Sequence, residues 1–229
     1  MPVDAPLSDP PPSSRRPITT QQFVLSELRR AIRTRQLRPG EPIRQDTVAA
    51  RLGVSRVPLR EALKILEGEG QVEYRPRRGY AVVELSMDDL LEVYRLREIL
   101  ETEAVRVAIG RITADDVERL EDAADDVERA GRDLDVLAMA DANRRFHFTL
   151  IQASGMPRLA RLVRLLWDAT DAYRAVYYGH EENRRRVDRE HREMVAAARA
   201  GDAEALIRLH DDHRRATVEA LRPIVGRST

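Results

Sequence analysis

The sequence of 229 residues predicts a mostly α chain in two parts, an N-terminal winged helix-turn-helix and a C-terminal all-helical antiparallel bundle of about six helices. Three observations carry that expectation. Apolar residues recur at three- and four-residue spacing through most of the chain. A paired β-leaning run occurs once, around Arg75-Pro76-Arg77-Arg78-Gly79. Beyond it, Gly110, Gly131, Gly155, Gly179 and Gly201 fall at intervals suited to helices with short connections. Aromatics make up only 4% of the chain, so its core must be packed from Leu, Val, Ile and Ala, a composition that leans helical.

Composition excludes several classes. Apolar residues at 42% suffice for a core, whereas charged residues at 34% and the lack of any 18-residue apolar stretch argue against a membrane protein. Residues 1–22 hold no apolar run of signal-peptide length, so a cytoplasmic protein is expected. There is no cysteine, which removes disulfides, thiolate zinc sites and cysteine nucleophiles together. Any metal must be held by His, Asp, Glu or Asn. The net charge of zero hides an asymmetry: residues 1–86 carry 15 Arg/Lys against 10 Asp/Glu, and residues 87–229 carry 24 against 29.

Residues 1–18, rich in proline, read as a disordered tail. A first helix is expected over residues 19–36, with Phe23, Val24, Leu28, Ala31 and Ile32 at helical spacing. Residues 37–42 form a breaker cluster, and a second helix over residues 45–52 is stopped by Gly53. Ser55 is a suitable N-cap for a third helix running from about Arg56 to Glu69 and ended by Gly70. Residues 71–74 and 80–85 then form a hairpin, completing a winged helix over residues 19–86. Ser86-Met87-Asp88-Asp89 is a capping box that opens a helical domain over residues 87–223, followed by a tail at 224–229. Its segments are expected near 87–109, 113–130, 134–153, 157–178, 182–200 and 202–223, with Thr113 and Asp202 as N-caps.

Arg56 and Arg60 lie one turn apart at the start of the third helix, while Leu59, Leu63 and Leu66 face the other way. Major-groove reading requires this arrangement, because a guanidinium spans guanine O6 and N7. Arg75, Arg77 and Arg78 at the wing tip can reach phosphate or the minor groove, with Gly79 permitting close backbone approach. Alone, such an arginine pair is an ordinary solvated face; the turn, the helix and the basic hairpin in order make it a candidate double-stranded DNA contact, with Ser55 at its head.

Arg38-Pro39-Gly40, Val48-Ala49, Leu52-Gly53-Val54-Ser55-Arg56, Arg60-Glu61-Ala62-Leu63, Leu66-Glu67, Gly70 and Arg78-Gly79-Tyr80-Ala81-Val82 resemble the winged-helix signature of GntR-type transcriptional regulators over about 65 residues. The resemblance implies that Arg56 and Arg60 read bases and that Arg78 and Gly79 form the wing contact. Asp46 departs from it, standing where the family often has a basic residue, which leaves Arg44 to supply a backbone contact.

In the second part, Asn143 and His147 share a helix face, and antiparallel packing of the last two helices can bring His191 and His213 together. These four make an N3O set suited to Zn, Ni, Cu or Mn. Spacing alone does not overturn the plainer reading of each as a surface or satisfied core residue. His210 lies one turn before His213, and His180 reads as a loop residue.

Phe146-His147 after Asn143, His191-Arg192-Glu193-Met194 with Ala197, Gly201-Asp202, Ala205 and His213, together with residues 94–101, resemble the FCD effector domain of the FadR subgroup. That resemblance implies a divalent metal held by an Asp and three His, with a small carboxylate beside it. Here Asn143 takes the Asp position, and its neutral oxygen implies weaker binding; Asp141 points to another face. Zn, Ni or Mn is the implied cofactor. Arg97 matches the cavity-facing arginine of FCD domains and is the candidate effector clamp, with an ion pair to Glu101 as the alternative. Tyr94, Tyr173, Arg174 and Tyr177 either line the pocket or pack.

The reading that combines these is a homodimeric, DNA-binding transcriptional regulator whose helical domain binds a small organic acid through a metal and so modulates operator binding. A dimer is expected because one reading head spans too few base pairs. Two rivals stand beside it. One is a metal sensor with no organic effector. The other is a helical-bundle metalloenzyme, which lacks a His-Glu-x-x-His pair, a duplicated Glu-x-x-His and a general base near the histidines, so no enzyme is expected.

Overall fold

The computed structural model describes residues 18–223 and Val225. Helix α1 (Thr20–Arg33) opens on a capping box in which the Thr19 hydroxyl accepts from Gln22 N at 3.1 Å. It stops short of the expected residue 36 because Arg35 turns to φ 59°. Helix α2 (Gln45–Leu52) has the expected bounds and closes on Gly53, whose φ of 66° is the left-handed conformation that glycine adopts without steric cost. Helix α3 (Arg56–Gly68) buries Leu59, Ala62, Leu63 and Leu66 against α1. The wing is the antiparallel pair β1 (Val72–Arg75) and β2 (Gly79–Val82), in register Val72 to Val82.

The breaker cluster before α2 has a role its composition did not announce. Residues 40–43 run along the free edge of β2: Gly40 N donates to Val82 O at 2.9 Å, Val82 N to Glu41 O at 3.0 Å and Ile43 N to Tyr80 O at 2.8 Å. The wing is thereby anchored on its inner edge as well as through its hairpin.

The bundle comprises α4 (Met87–Ala108), α5 (Ala114–Arg132), α6 (Val136–Ala153), α7 (Pro157–Ala169), α8 (Asp171–Tyr178), α9 (Glu181–Ala200) and α10 (Ala203–Leu221). Ser86, Thr113 and Asp202 are N-caps as expected. Two expectations are corrected. Gly131 does not end its helix, since α5 runs on to Arg132. The single segment over 157–178 is two helices, broken at Thr170. There the Thr170 hydroxyl donates to the Trp167 carbonyl at 3.2 Å, and Arg174 donates to the same carbonyl at 3.4 Å. Those bonds replace the helical ladder where neither glycine nor proline marks a break.

One continuous apolar cluster joins Val24, Leu28 and Ile32 of α1 to Tyr173, Tyr177 and Tyr178 of α8. The Tyr173 hydroxyl accepts from Leu85 N at 2.9 Å and Arg33 pairs with Asp141 at 2.7 Å, so the N-terminal part and the bundle are tied at two further points. The expected tails lie outside the described residues except for Ile18, which is exposed, and Val225, which is buried in this cluster. No helix among the described residues is long and apolar enough to cross a membrane.

Candidate nucleic-acid interface and metal centre

Burying the apolar side of α3 leaves Arg56 and Arg60 exposed on the opposite side. Ser55 takes the extended N-cap conformation, but its hydroxyl makes no capping bond. At the wing tip Arg78 N donates to Arg75 O at 3.0 Å, and the tight turn places Arg77 at φ 64° and Gly79 at φ 82°. Between helix and wing lies an open basin of about 990 Å³ lined by Arg44, Arg56, Arg60, Arg77, Arg78 and Gly79. Two exposed apolar side chains, Val57 and Tyr74, share the basin with these arginines. Arg75 pairs instead with Glu73 at 2.5 Å.

The second concentration of chemistry is wholly internal. One nitrogen each of His147 on α6, His191 on α9 and His213 on α10 lie within 4.8 Å of one another, all three residues buried. Asn143 is buried one turn before His147. Its Oδ1, His147 Nε2 and both ring nitrogens of His191 are without hydrogen-bond partners. Orphaned groups of this kind cost roughly 1–3 kcal/mol each, and beside three facing imidazoles they fit a cation. Phe146 stacks on His191 at 4.0 Å and fixes its ring. Glu190 Oε2 lies 2.7 Å from His213 Nδ1, which holds the proton on that nitrogen and frees Nε2 as a ligand. Burial first, and the neighbouring histidines second, push His147 and His191 well below their ordinary pKa, so both rings are neutral and able to coordinate.

His210 lies 2.9 Å from His147, its Nε2 facing His147 Nδ1. Arg214 donates to His210 Nδ1, and since a guanidinium can only donate, His210 carries its proton on Nε2 and gives it to His147. A ligand bond at His147 Nε2 requires the reverse arrangement, with His210 Nδ1 turned toward Glu101 Oε2, 3.7 Å away.

Glu101 is the hub of a buried charged network. It accepts from Arg97 Nε at 2.7 Å, Trp167 Nε1 at 2.7 Å and Arg214 at 2.9 Å. Burial alone raises the Glu101 carboxyl, but Arg97 and Arg214 outweigh that and hold it well below the usual carboxylate range. The Trp167 ring has the Arg97 guanidinium at 4.3 Å and that of Arg174 at 3.8 Å; Tyr94 lies 4.7 Å from Arg97.

Residues 92–216 match the FCD domain family, and residues 20–82 match the family of bacterial regulatory proteins named gntR. The chain belongs to the GntR family of transcriptional regulators. It is 28% identical over 184 residues to the HTH-type transcriptional regulator YdhC of Bacillus subtilis, covering 79% of this chain and 81% of that one. It is also 28% identical over 185 residues to the HTH-type transcriptional regulator McbR of Escherichia coli, covering 79% and 83%. The solved structure of E. coli McbR/YncC superposes with a TM-score of 0.80 over 90% of this chain and 99% of that one at 24% identity, a likeness of fold. A GntR regulator from Rhodococcus sp. RHA1 gives a TM-score of 0.73 at 27% identity over 88% and 97%. The protein is thus a DNA-binding transcriptional regulator, not an enzyme.

In this GntR regulator the basin gathers Arg44, Arg56, Arg60, Arg77, Arg78 and Gly79 and leaves Ser55 outside its lining. The helical domain gathers His147, His191 and His213 with buried Asn143. Arg97 takes the alternative named for it, an ion pair with Glu101. Tyr173 and Tyr177 act as structural ties, the one to Leu85 and the other accepting from Arg186 at 2.9 Å. Sequence reasoning missed His210 as a partner of His147, along with Glu190, Trp167 and Arg214. The one available signal was the His210, His213, Arg214 spacing, which puts two histidines and an arginine on adjoining turns.

Proposed function

We propose that this regulator binds a double-stranded operator as a homodimer in the cytoplasm. Residues 19–86 act as the reading head and residues 87–223 as a sensor for a divalent cation and a small carboxylate. Arg56 and Arg60 read base edges in the major groove, Arg44, Arg77 and Arg78 hold phosphates, Ser55 donates to the backbone, and Gly79 lets the wing approach closely. Two exposed apolar rows support self-association, Leu91, Leu96 and Ile99 on α4 and Leu162 and Leu165 on the adjoining α7.

The observation that carries the sensor is the approach of ring nitrogens from His147, His191 and His213 to one another, with unpartnered buried atoms on Asn143, His147 and His191. Zn, Ni or Mn suits this set of three imidazoles and an amide oxygen. The carboxylate binds beside the cation, with Arg97 clamping it, Arg174 across the Trp167 ring and Tyr94 along the wall. A second reading has the cation itself as the signal, and the ion pair that occupies Arg97 favours it. Thermal-shift assays on metal-loaded and chelator-stripped protein across central-metabolism carboxylates test the site, because a ligand of the folded state raises Tm by mass action. Stabilisation by a carboxylate only in the loaded protein, with a matching change in operator affinity, supports the effector reading. A change in operator affinity on metal alone supports the sensor, and no response to either refutes both.

A further inference from the structure

Helices α2 and α3 are joined by a turn of three residues, so side chains at their N-terminal ends can meet across its outer face. Arg56 and Asp46 do so, with Nη2 to Oδ1 at 2.5 Å and both side chains largely in water, at 69% and 70% exposure. An exposed pair of this kind contributes little to stability, and the place of Asp46 in the first turn of α2 adds only the modest, salt-screened attraction of a helix N-terminus. The location is the informative part. Asp46 lines the basin with Arg44, Arg56, Arg60, Arg77 and Arg78, and the other carboxylate there, Glu67, is bonded by the Tyr80 hydroxyl at 3.3 Å. A carboxylate facing a polyanion weakens every phosphate-driven mode of docking. One held on a base-reading guanidinium does something further.

We propose that Asp46 is a specificity-determining residue of the reading head: it orients Arg56 toward a guanine edge, accepts from the exocyclic amine of a neighbouring cytosine, and penalises docking on phosphates alone. The guanidinium is planar, with five donors in a rigid fork. Asp46 occupies one NH2 group and leaves the rest of the fork for guanine O6 and N7. The same carboxylate is of the type that accepts from cytosine N4 in the major groove. Because the pair is already formed without DNA, Arg56 enters the groove with part of its rotamer freedom removed. The proposal rests on the reading of Arg56 as a base contact.

The test uses full-length protein and two duplexes, one selected by the unaltered protein from a randomised pool and one scrambled version of it. For Asp46→Asn, affinity for the scrambled duplex rises and its salt dependence steepens by about one unit of log K per log salt. The ratio of affinities for selected over scrambled duplex falls about tenfold, the low end of what one bidentate base contact discriminates. Relaxed preference falls on the base pair that Arg56→Ala relaxes and on its neighbour, and Asp46→Asn changes nothing further in the Arg56→Ala background. Asp46→Glu keeps the salt dependence and loses the preference, which separates charge from placement. An unchanged or higher ratio in Asp46→Asn, or relaxation at unrelated positions, overturns the proposal while leaving Arg56 as a base reader. An unchanged selected sequence in Arg56→Ala removes the reading it rests on. Melting curves matching the unaltered protein certify folding, as expected for two exposed side chains.

Discussion

The reading head and the histidine centre both depend on cationic or nitrogen-bearing side chains, and they treat them in opposite ways. Around the basin, guanidiniums stand in water, where solvation costs nothing and a phosphate can replace a water. In the bundle, Arg97, Arg174 and Arg214 are buried, and Arg97 and Arg214 are both held by Glu101. In the head, unpaired charge is normal and says little about purpose. In the bundle, an unpaired group is the exception, so the orphaned atoms of Asn143, His147 and His191 are informative. The two regions should therefore respond oppositely to substitution: large losses of stability and indirect losses of function in one, small losses of stability and direct losses of DNA discrimination in the other.

The largest expected effect comes from removing the hub. Glu101→Ala leaves the buried Arg97 guanidinium uncompensated and Arg214 with Asp211 as its remaining carboxylate, and should destabilise by about 3–5 kcal/mol, the usual result of breaking a buried pair from one side. Urea denaturation measures it, and a loss below about 1 kcal/mol would mean that water reaches the network.

Acid should act on the same region. The pKa values of His147, His191 and His210 are depressed by burial well below the ordinary 6.5. The unfolded chain therefore binds more protons than the folded one below pH 6.5. Stability is fully present above that pH and falls as pH drops through it, by up to about 1.4 kcal/mol per pH unit for each histidine. Glu101 is also depressed and adds its own loss below its ordinary value of 4.5. Melts of chelator-stripped protein at pH 7.5 and 5.5 should show the first phase. Loaded protein should withstand lower pH, since a cation on the ring nitrogens competes with protons.

How much of this was readable in advance follows from how local each cause is. Helix α2 was legible to its ends because Gly53 and Ser55 are punctuation that acts within a residue or two. The break at Thr170 was not, because it is made by Arg174 reaching back to the Trp167 carbonyl, a choice that depends on the ring beneath. Gly131 misled in the other direction, since glycine is tolerated inside a helix whose buried face, with Val127 and Ala130, keeps packing. In the candidate site, His147, His191 and His213 stood out as rare residues at suggestive positions. The bonds of Glu101 beyond its pair with Arg97, and the role of His210, stayed hidden because they exist only once α4, α6 and α10 are brought together.

At the metal centre, Asn143→Asp places a charged oxygen beside three imidazoles and should tighten divalent-metal affinity at least about tenfold, in line with the gain from a charge-assisted contact. His147→Ala or His213→Ala should abolish high-affinity binding. Competition against a chromophoric chelator reads both. A tighter site in Asn143→Asp together with unchanged folding would show that the amide, not the geometry, limits affinity. Equal affinity would move Asn143 out of the ligand set.

The smallest stability effects and the most specific functional ones belong to the head. Arg60→Ala should leave Tm within experimental scatter, as for an exposed side chain away from caps and cores. It should weaken binding to the selected duplex by about 1–3 kcal/mol and relax preference at one base pair. Arg77→Ala should weaken selected and scrambled duplexes alike and reduce the salt slope by about one, because a phosphate contact carries no sequence information. The comparison of the two variants matters more than either alone. Should Arg77→Ala relax base preference while Arg60→Ala lowers only the salt slope, the wing would be the reading element and α3 the anchor. The tight left-handed turn at Arg77 makes the anchor role the more natural one for the wing, since a side chain fixed in a short turn can grip a phosphate without tracking the groove.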